Sequence, residues 1–176
     1  MLNKRIEQML NDQITKELFS STLYLSMSSW FSSVNLDGFA KWYYVQTQEE
    51  RDHALILYQY VLKAGGRPIF QELQKPDWDF ADTMDVLSRT VKHEEFITSS
   101  IYEIVKAANE EADYKTVQFL NWFVDEQVQE EDSANKNLNR FKTMGSDGKA
   151  LYLLDAEMGT RIYTKTALLT TLEAKA

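Results

Sequence analysis

GGRPIFQELQKPDWDF, residues 65–80, is the stretch that decides the fold. It separates two long segments of helical periodicity, and its two glycines end the segment before it. With Ala81 and Asp82 the joint has eighteen residues, which reach up to roughly 60 Å when extended. The preceding helix, about 27 residues long, is roughly 40 Å. The joint can therefore run the whole length of a helical bundle, and the helices on either side of it can lie parallel. That is the topology of a four-helix bundle with one long crossover.

Outward from the joint, the apolar periodicity has the three- and four-residue steps of bundle helices. A first helix is predicted over about 4–34, with Leu10, Ile14, Glu17, Ser21, Tyr24, Ser28 and Phe31 on its inner seam. A second, over about 38–64, brings Tyr43, Gln46, Glu50, His53, Leu57 and Tyr60 onto one seam. The third (about 83–111) carries Leu87, Val91, Glu94, Thr98 and Ile101, and the fourth (about 114–143) Leu120, Phe123, Gln127, Glu130, Ala134 and Leu138. Asn35 or Asp37 is expected to cap the second helix, Asp82 the third and Asp113 the fourth. Short joints at 35–37 and 112–113 make the helices they connect antiparallel. A short fifth helix is expected at about 148–161, after the turn MGSDGKA, and no element is assigned to the tail 162–176. Residues 1–176 read as a single all-α domain, with the bundle over 4–144.

Composition narrows the function classes. The 27 acidic residues outnumber the 19 basic ones, giving a net charge of −8. A nucleic-acid binder would need the opposite balance to neutralise phosphates. No run approaches the length of a membrane span and the start has no apolar signal core, so neither membrane nor secretion is expected and a cytoplasmic location is. With no cysteine, thiolate metal sites and disulfides are excluded. Trp30, Trp42, Tyr44 and Leu151 to Leu154 fall off the seams, and such apolar surface predicts contacts between subunits.

Each seam is apolar toward its ends and carries a carboxylate near its middle. Taken singly, Glu17, Glu50, Glu94 and Glu130 each read as a solvated face. Four at similar depth in one core do not, because an unpaired buried carboxylate is costly. The stretch QEERDHA, residues 48–54, adds His53 three residues after Glu50. Four carboxylates balance two divalent ions, and oxygen-rich ligation with one imidazole suits iron, manganese or zinc. Tyr24 lies two turns after Glu17, so its hydroxyl either sits beside the metals or belongs to a plain core tyrosine. His93 is adjacent to Glu94, faces about 100° away, and reads as structural or surface.

Glu17, the EERDH block with Glu50 and His53, Glu94, and DEQVQEE with Gln127 and Glu130 together resemble the ferroxidase centre of prokaryotic non-haem ferritins. The resemblance covers the four bundle helices and extends to GKALYLLDAEMGTR. It implies a 24-subunit cage that oxidises Fe(II) with O2 or H2O2 and stores ferric mineral. One iron would sit among Glu17, Glu50 and His53, and the other would take Glu50, Glu94 and Glu130. Glu50 would bridge the two, with Gln127 as an outer or weak ligand. Bacterioferritins and rubrerythrins carry a second Glu-x-x-His where this chain has Gln127-x-x-Glu130, so a symmetric two-histidine site is not expected. Related bacterial ferritins often have a third iron site on the inner surface, matching Glu49, Glu126, position 129 and Glu130. Position 129 is glutamine here, so a third iron is expected to bind weakly or not at all. The rival readings are a di-iron oxidase acting on an organic substrate and a helical scaffold without metal.

Overall fold

The computed structural model describes residues 2–144 and 147–174. Six helices are present among them: α1 Lys4–Ser33, α2 Asp37–Lys63, α3 Thr83–Glu110, α4 Tyr114–Met144, α5 Gly148–Met158 and α6 Ala167–Glu173. None of the described helices is long and apolar enough to cross a membrane.

Local chemistry sets most of the boundaries. Asn3 caps α1 by accepting from Arg5 N at 2.8 Å, and Asp82 caps α3 by accepting from Asp85 N at 2.8 Å. Asp113 accepts from both the amide and the hydroxyl of Thr116 at the start of α4. At the end of α2, Gly65 takes φ +79° and Gly66 N donates back to Val61 O at 2.9 Å, which is a Schellman closure. Asn35 and Ala112, at φ +60° and +53°, close α1 and α3 the same way.

The start of α2 differs from expectation. Neither Asn35 nor Asp37 caps it; Leu36 holds the cap position without a side-chain bond. Asn35 is consumed by the end of α1, and the missing acceptor comes from α5, where Asp155 Oδ1 takes the Phe39 amide at 2.9 Å. The approach is close enough that a Cβ on Gly38 would lie 1.7 Å from the Asp155 carbonyl oxygen, so only glycine fits there.

α1 runs antiparallel to α2, as the pairs Ser28–Ala40 and Ser21–Thr47 show. It is also antiparallel to α3, through Gln13–Ser100 and Ser20–His93. α2 and α3 are therefore parallel. The crossover follows α1 end to end: Arg67 N donates to Glu7 and Ile69 N to Asn11, and further on Ser26 donates to Asp77 O.

The apolar interior forms two clusters. One gathers Ile6, Leu10, Ile14, Leu57, Ile101 and Leu120; the other gathers Met27, Phe31, Phe39, Tyr43, Leu87 and Leu138. Glu17, Gln46, Glu50, His53, Glu94, Gln127 and Glu130 are also buried, and by their seam positions they fill the layer between.

The C-terminal part corrects the sequence reading in three ways. α5 stops at Met158, capped by Gly159, rather than continuing to 161. Residues 159–166 are a non-helical strap that opens on a turn at 159–160 and runs parallel to α2, with Arg161 bonded to Gln46 and Glu49 and Tyr163 OH donating to Asp52 at 2.9 Å. The tail then forms α6, capped by Thr166 and anchored by fully buried Leu169. Because α5 and the strap cover α2, Trp42 is only 7% exposed and Leu154 only 1%. Neither contributes the outer apolar surface expected of it, and Trp30 and Leu151 are half-buried. Tyr44, Tyr152 and Leu153 are exposed as expected.

Candidate metal centre

The four-helix architecture delivers one carboxylate per seam, with His53 beside Glu50 on α2, to a common depth. Single ligand atoms of Glu17, Glu50 and His53 all lie within 4.8 Å of one another. The same holds for Glu50, Glu94 and Glu130, and for His53, Glu126 and Glu130. Glu50 belongs to the first two groups and so stands between two cation-sized positions. Glu17 and Glu50 come from α1 and α2, Glu94 and Glu130 from α3 and α4.

Neighbouring amides orient these carboxylates. Gln13 Nε2 donates to Glu17 Oε1 at 2.8 Å. Gln46 Nε2 donates at 2.8 Å to both Glu50 Oε1 and Glu130 Oε2. Tyr24 OH donates to Glu94 Oε1, so the hydroxyl reaches the donor set rather than a remote core partner. Gln127 Nε2 lies 3.3 Å from Glu94 Oε2 and 3.1 Å from Thr98 Oγ1, which makes it an orienting group for Glu94. Among the described residues, two buried side-chain atoms have no hydrogen-bond partner, Glu17 Oε2 and His53 Nε2. Buried polar atoms are rarely left so, and a cation bound by this donor set would account for them.

Protonation follows from crowding. Burial first, then the charge of Glu50, pushes Glu17 and Glu130 up to about 8. Glu94 is held well above the carboxylate range by burial and by the charges of Glu50 and Glu130. Burial alone would lower His53, but its hydrogen bond and charge pairing with Glu50, 3.5 Å away, win and raise it to about 10. For Glu50 burial is likewise overcome, by His53 and Gln46, and its pKa falls. Without an ion, charge in this cluster concentrates on the His53–Glu50 pair, and Glu17, Glu94 and Glu130 are shifted toward their protonated forms.

His93 is not among the donors. Its Nε2 meets Ser20 Oγ at 2.7 Å and its ring packs edge-on to Tyr24, a structural role. Glu49, matched by resemblance to a third site with Glu126, is instead bonded to Arg161. Gln129 is exposed and Glu126 half-buried. Arg161 had no sequence signal, since it acts from a non-helical strap. Gln46 had one, lying on the seam four residues before Glu50.

A one-crossover bundle whose four seams converge on four glutamates and a histidine defines the ferritin-like class of helical proteins. The ferritin-like domain profile matches residues 7–144, and the chain belongs to the ferritin family. It is 34% identical to the bacterial non-heme ferritin of Staphylococcus aureus (strain MRSA252), over 93% of this chain and 98% of that one. With its counterpart from Campylobacter jejuni it shares 39% identity, over 88% and 93%. Among solved structures, an engineered closed form of Archaeoglobus fulgidus ferritin superposes with a TM-score of 0.92 at 36% identity, covering 93% of this chain and all of that one. The open-pore ferritin of the same archaeon gives 0.91 at 37%, covering 92% of this chain and 98% of that one.

Proposed function

We propose that this protein stores iron and is a ferroxidase, oxidising Fe(II) at the intra-subunit centre formed by Glu17, Glu50, His53, Glu94 and Glu130 and holding the ferric product within a 24-subunit cage. Membership of the ferritin family supports the storage role. The observation that carries the ferroxidase reading is the pair of adjacent donor groups sharing Glu50, with two buried ligand-type atoms left without partners.

Two Fe(II) are the substrates. As they bind, Glu17, Glu94 and Glu130 give up protons and His53 releases its own, leaving four carboxylates and a neutral imidazole to balance two dipositive ions. Tyr24 and Gln127 hold Glu94, and Gln46 holds Glu50 and Glu130, while the ions arrive. Two electrons then leave the iron pair. With two protons they take O2 to H2O2, or with two protons take H2O2 to two waters. The product carries six positive charges against the same ligands, and this excess favours hydrolysis and movement of Fe(III) out of the centre. Binding at the all-oxygen position, which lacks a histidine, is weaker than at the histidine-bearing one, and that difference suits transit.

An organic-substrate oxidase would place an apolar pocket beside the metals. The cavity that adjoins the centre, about 360 Å³, is lined by Glu49, Glu126, Gln129, Ser133 and Thr164 among others, a surface suited to ions.

Anaerobic Fe(II) titration of the metal-free protein, followed by aeration and measurement of solution mass, tests the proposal. Two tight Fe(II) per chain, oxidation on aeration, uptake far beyond two per chain and a large assembly are expected. A monomer that neither binds nor oxidises Fe(II) would overturn it.

A further inference from the structure

The cavity beside the centre is bounded by α2, α4 and the 159–166 strap, and a cation already stands at its edge. Arg161 Nη2 donates to Glu49, while Nη1 donates to Gln46 Oε1 at 2.7 Å. Its guanidinium lies over the Trp42 ring, 4.3 Å from the centroid. The side chain is 23% exposed. On either side the strap is pinned, by Asp155 to the Phe39 amide and by Tyr163 to Asp52. The guanidinium is therefore held by three contacts on a fixed backbone.

Two consequences follow from elementary electrostatics. A guanidinium and a metal ion repel, and one carboxylate cannot neutralise both at short range. The contact to Gln46 also fixes which way that amide points: its oxygen faces Arg161, so its NH2 faces Glu50 and Glu130. A fork-shaped cation makes both contacts at once, which an ammonium cannot do in the same geometry.

We propose that Arg161 is a built-in gate on the cavity between α2 and α4, occupying Glu49 so that a further cation is excluded and positioning Gln46 against the metal centre. Arg161 is a positioning residue, not a catalytic one. Iron leaving the centre on this side displaces the guanidinium from Glu49 as it passes. The inference rests on the metal-centre reading given under the proposed function. It adds that this chain's own strap sets how many cations the site holds.

The test is calorimetric titration of the full-length, metal-free protein with Zn(II), which undergoes no oxidation. The natural protein is expected to bind two Zn(II) per chain. R161A is expected to bind a third at least about tenfold more tightly than any third event in the natural protein, and R161A/E49Q to lose it. R161K, which retains the charge, is expected to keep the third cation out. Far-UV circular dichroism and solution mass establish that each variant is folded and assembled. Unchanged binding in R161A, a third event that survives in R161A/E49Q, or R161K behaving like R161A would each overturn the gate. Loss of the first two events in the natural protein would instead strike at the metal-centre reading, so the two failures are distinguishable.

Discussion

Gln46 on α2 reaches Glu130 on α4, Nε2 to Oε2 at 2.8 Å, while the same nitrogen donates to Glu50 on its own helix. One amide therefore ties two carboxylates from opposite sides of the bundle.

Gln46→Ala removes that tie and leaves Glu50 and Glu130 free to adopt other rotamers. Loss of a group that orients metal ligands lowers affinity by about 10- to 100-fold. The effect is expected at the position served by Glu50, Glu94 and Glu130, with less change where Glu17 and His53 contribute. Competition with a chelating dye during Zn(II) titration measures both. Equal weakening of the two events would show that Gln46 serves only packing.

The metal-free protein is expected to lose stability as pH rises. Glu17 and Glu130 titrate near 4.5 when unfolded and at about 8 when folded; His53 moves from 6.5 to about 10. Each raised pKa means that the native chain holds more protons than the unfolded one across the window between its two values. Stability then falls with pH from about 4.5 to about 10. Glu50, lowered in the fold, works the other way and contributes above its unfolded value. A Tm lower at pH 8.5 than at pH 6 by about 5 °C or more is expected. Saturating Zn(II), which needs deprotonated ligands, should reverse the sign, and scanning calorimetry with and without metal checks it.

Gly38→Ala should dislodge α5. The added methyl would lie 1.7 Å from a backbone oxygen, which no rotamer change relieves, so α5 must move and Asp155 must release the Phe39 amide. A cost of about 1–3 kcal/mol is expected from such overpacking. Faster tryptic cleavage at Lys149 and Arg161, with the four main helices intact by circular dichroism, is the signature. Unchanged cleavage would mean that α5 docks elsewhere.

Ala112→Gly should stabilise the chain. Ala112 holds φ +53° at the end of α3, a conformation that costs an L-residue about 1–2 kcal/mol. Glycine escapes that cost but loses more chain entropy on folding, leaving a gain of about 0.5–1 kcal/mol. Chemical denaturation of the two proteins side by side measures it, and a destabilised variant would refute the assignment of strain.

The bundle was legible because its information is periodic. Steps of three and four residues put Glu17, Glu50, Glu94 and Glu130 on inner seams, and the long joint 65–82 dictated a parallel α2 and α3. What could not be read depends on chain segments that meet far from one another in sequence. Asp155 caps a helix that begins 118 residues before it, at Asp37, and local patterns carry no trace of that. Trp42 looked like outer surface because nothing in its own helix reveals that Arg161 covers it. The seven residues of α6 are too few and too rich in threonine to show periodicity, and Leu169 anchors them only through tertiary packing. Arg161 was invisible for the same reason, although its target Gln46 stood on the seam.

The polar layer that divides the interior into two apolar clusters also sets how the molecule comes apart. The bundle helices run unbroken through that layer and feed both clusters, so the two ends stay tied by backbone, but the side-chain packing between them is polar: carboxyl–amide bonds and one ion pair. Opening at one end is then less strongly coupled to the other than in a continuous apolar core, and amides near Ile101 and near Leu87 are expected to exchange with different free energies. Ions bound at the proposed centre would bridge carboxylates from α1, α2, α3 and α4, and the two sets of amides are then expected to converge. The proposed ions are thus expected to change the cooperativity of unfolding as well as its midpoint.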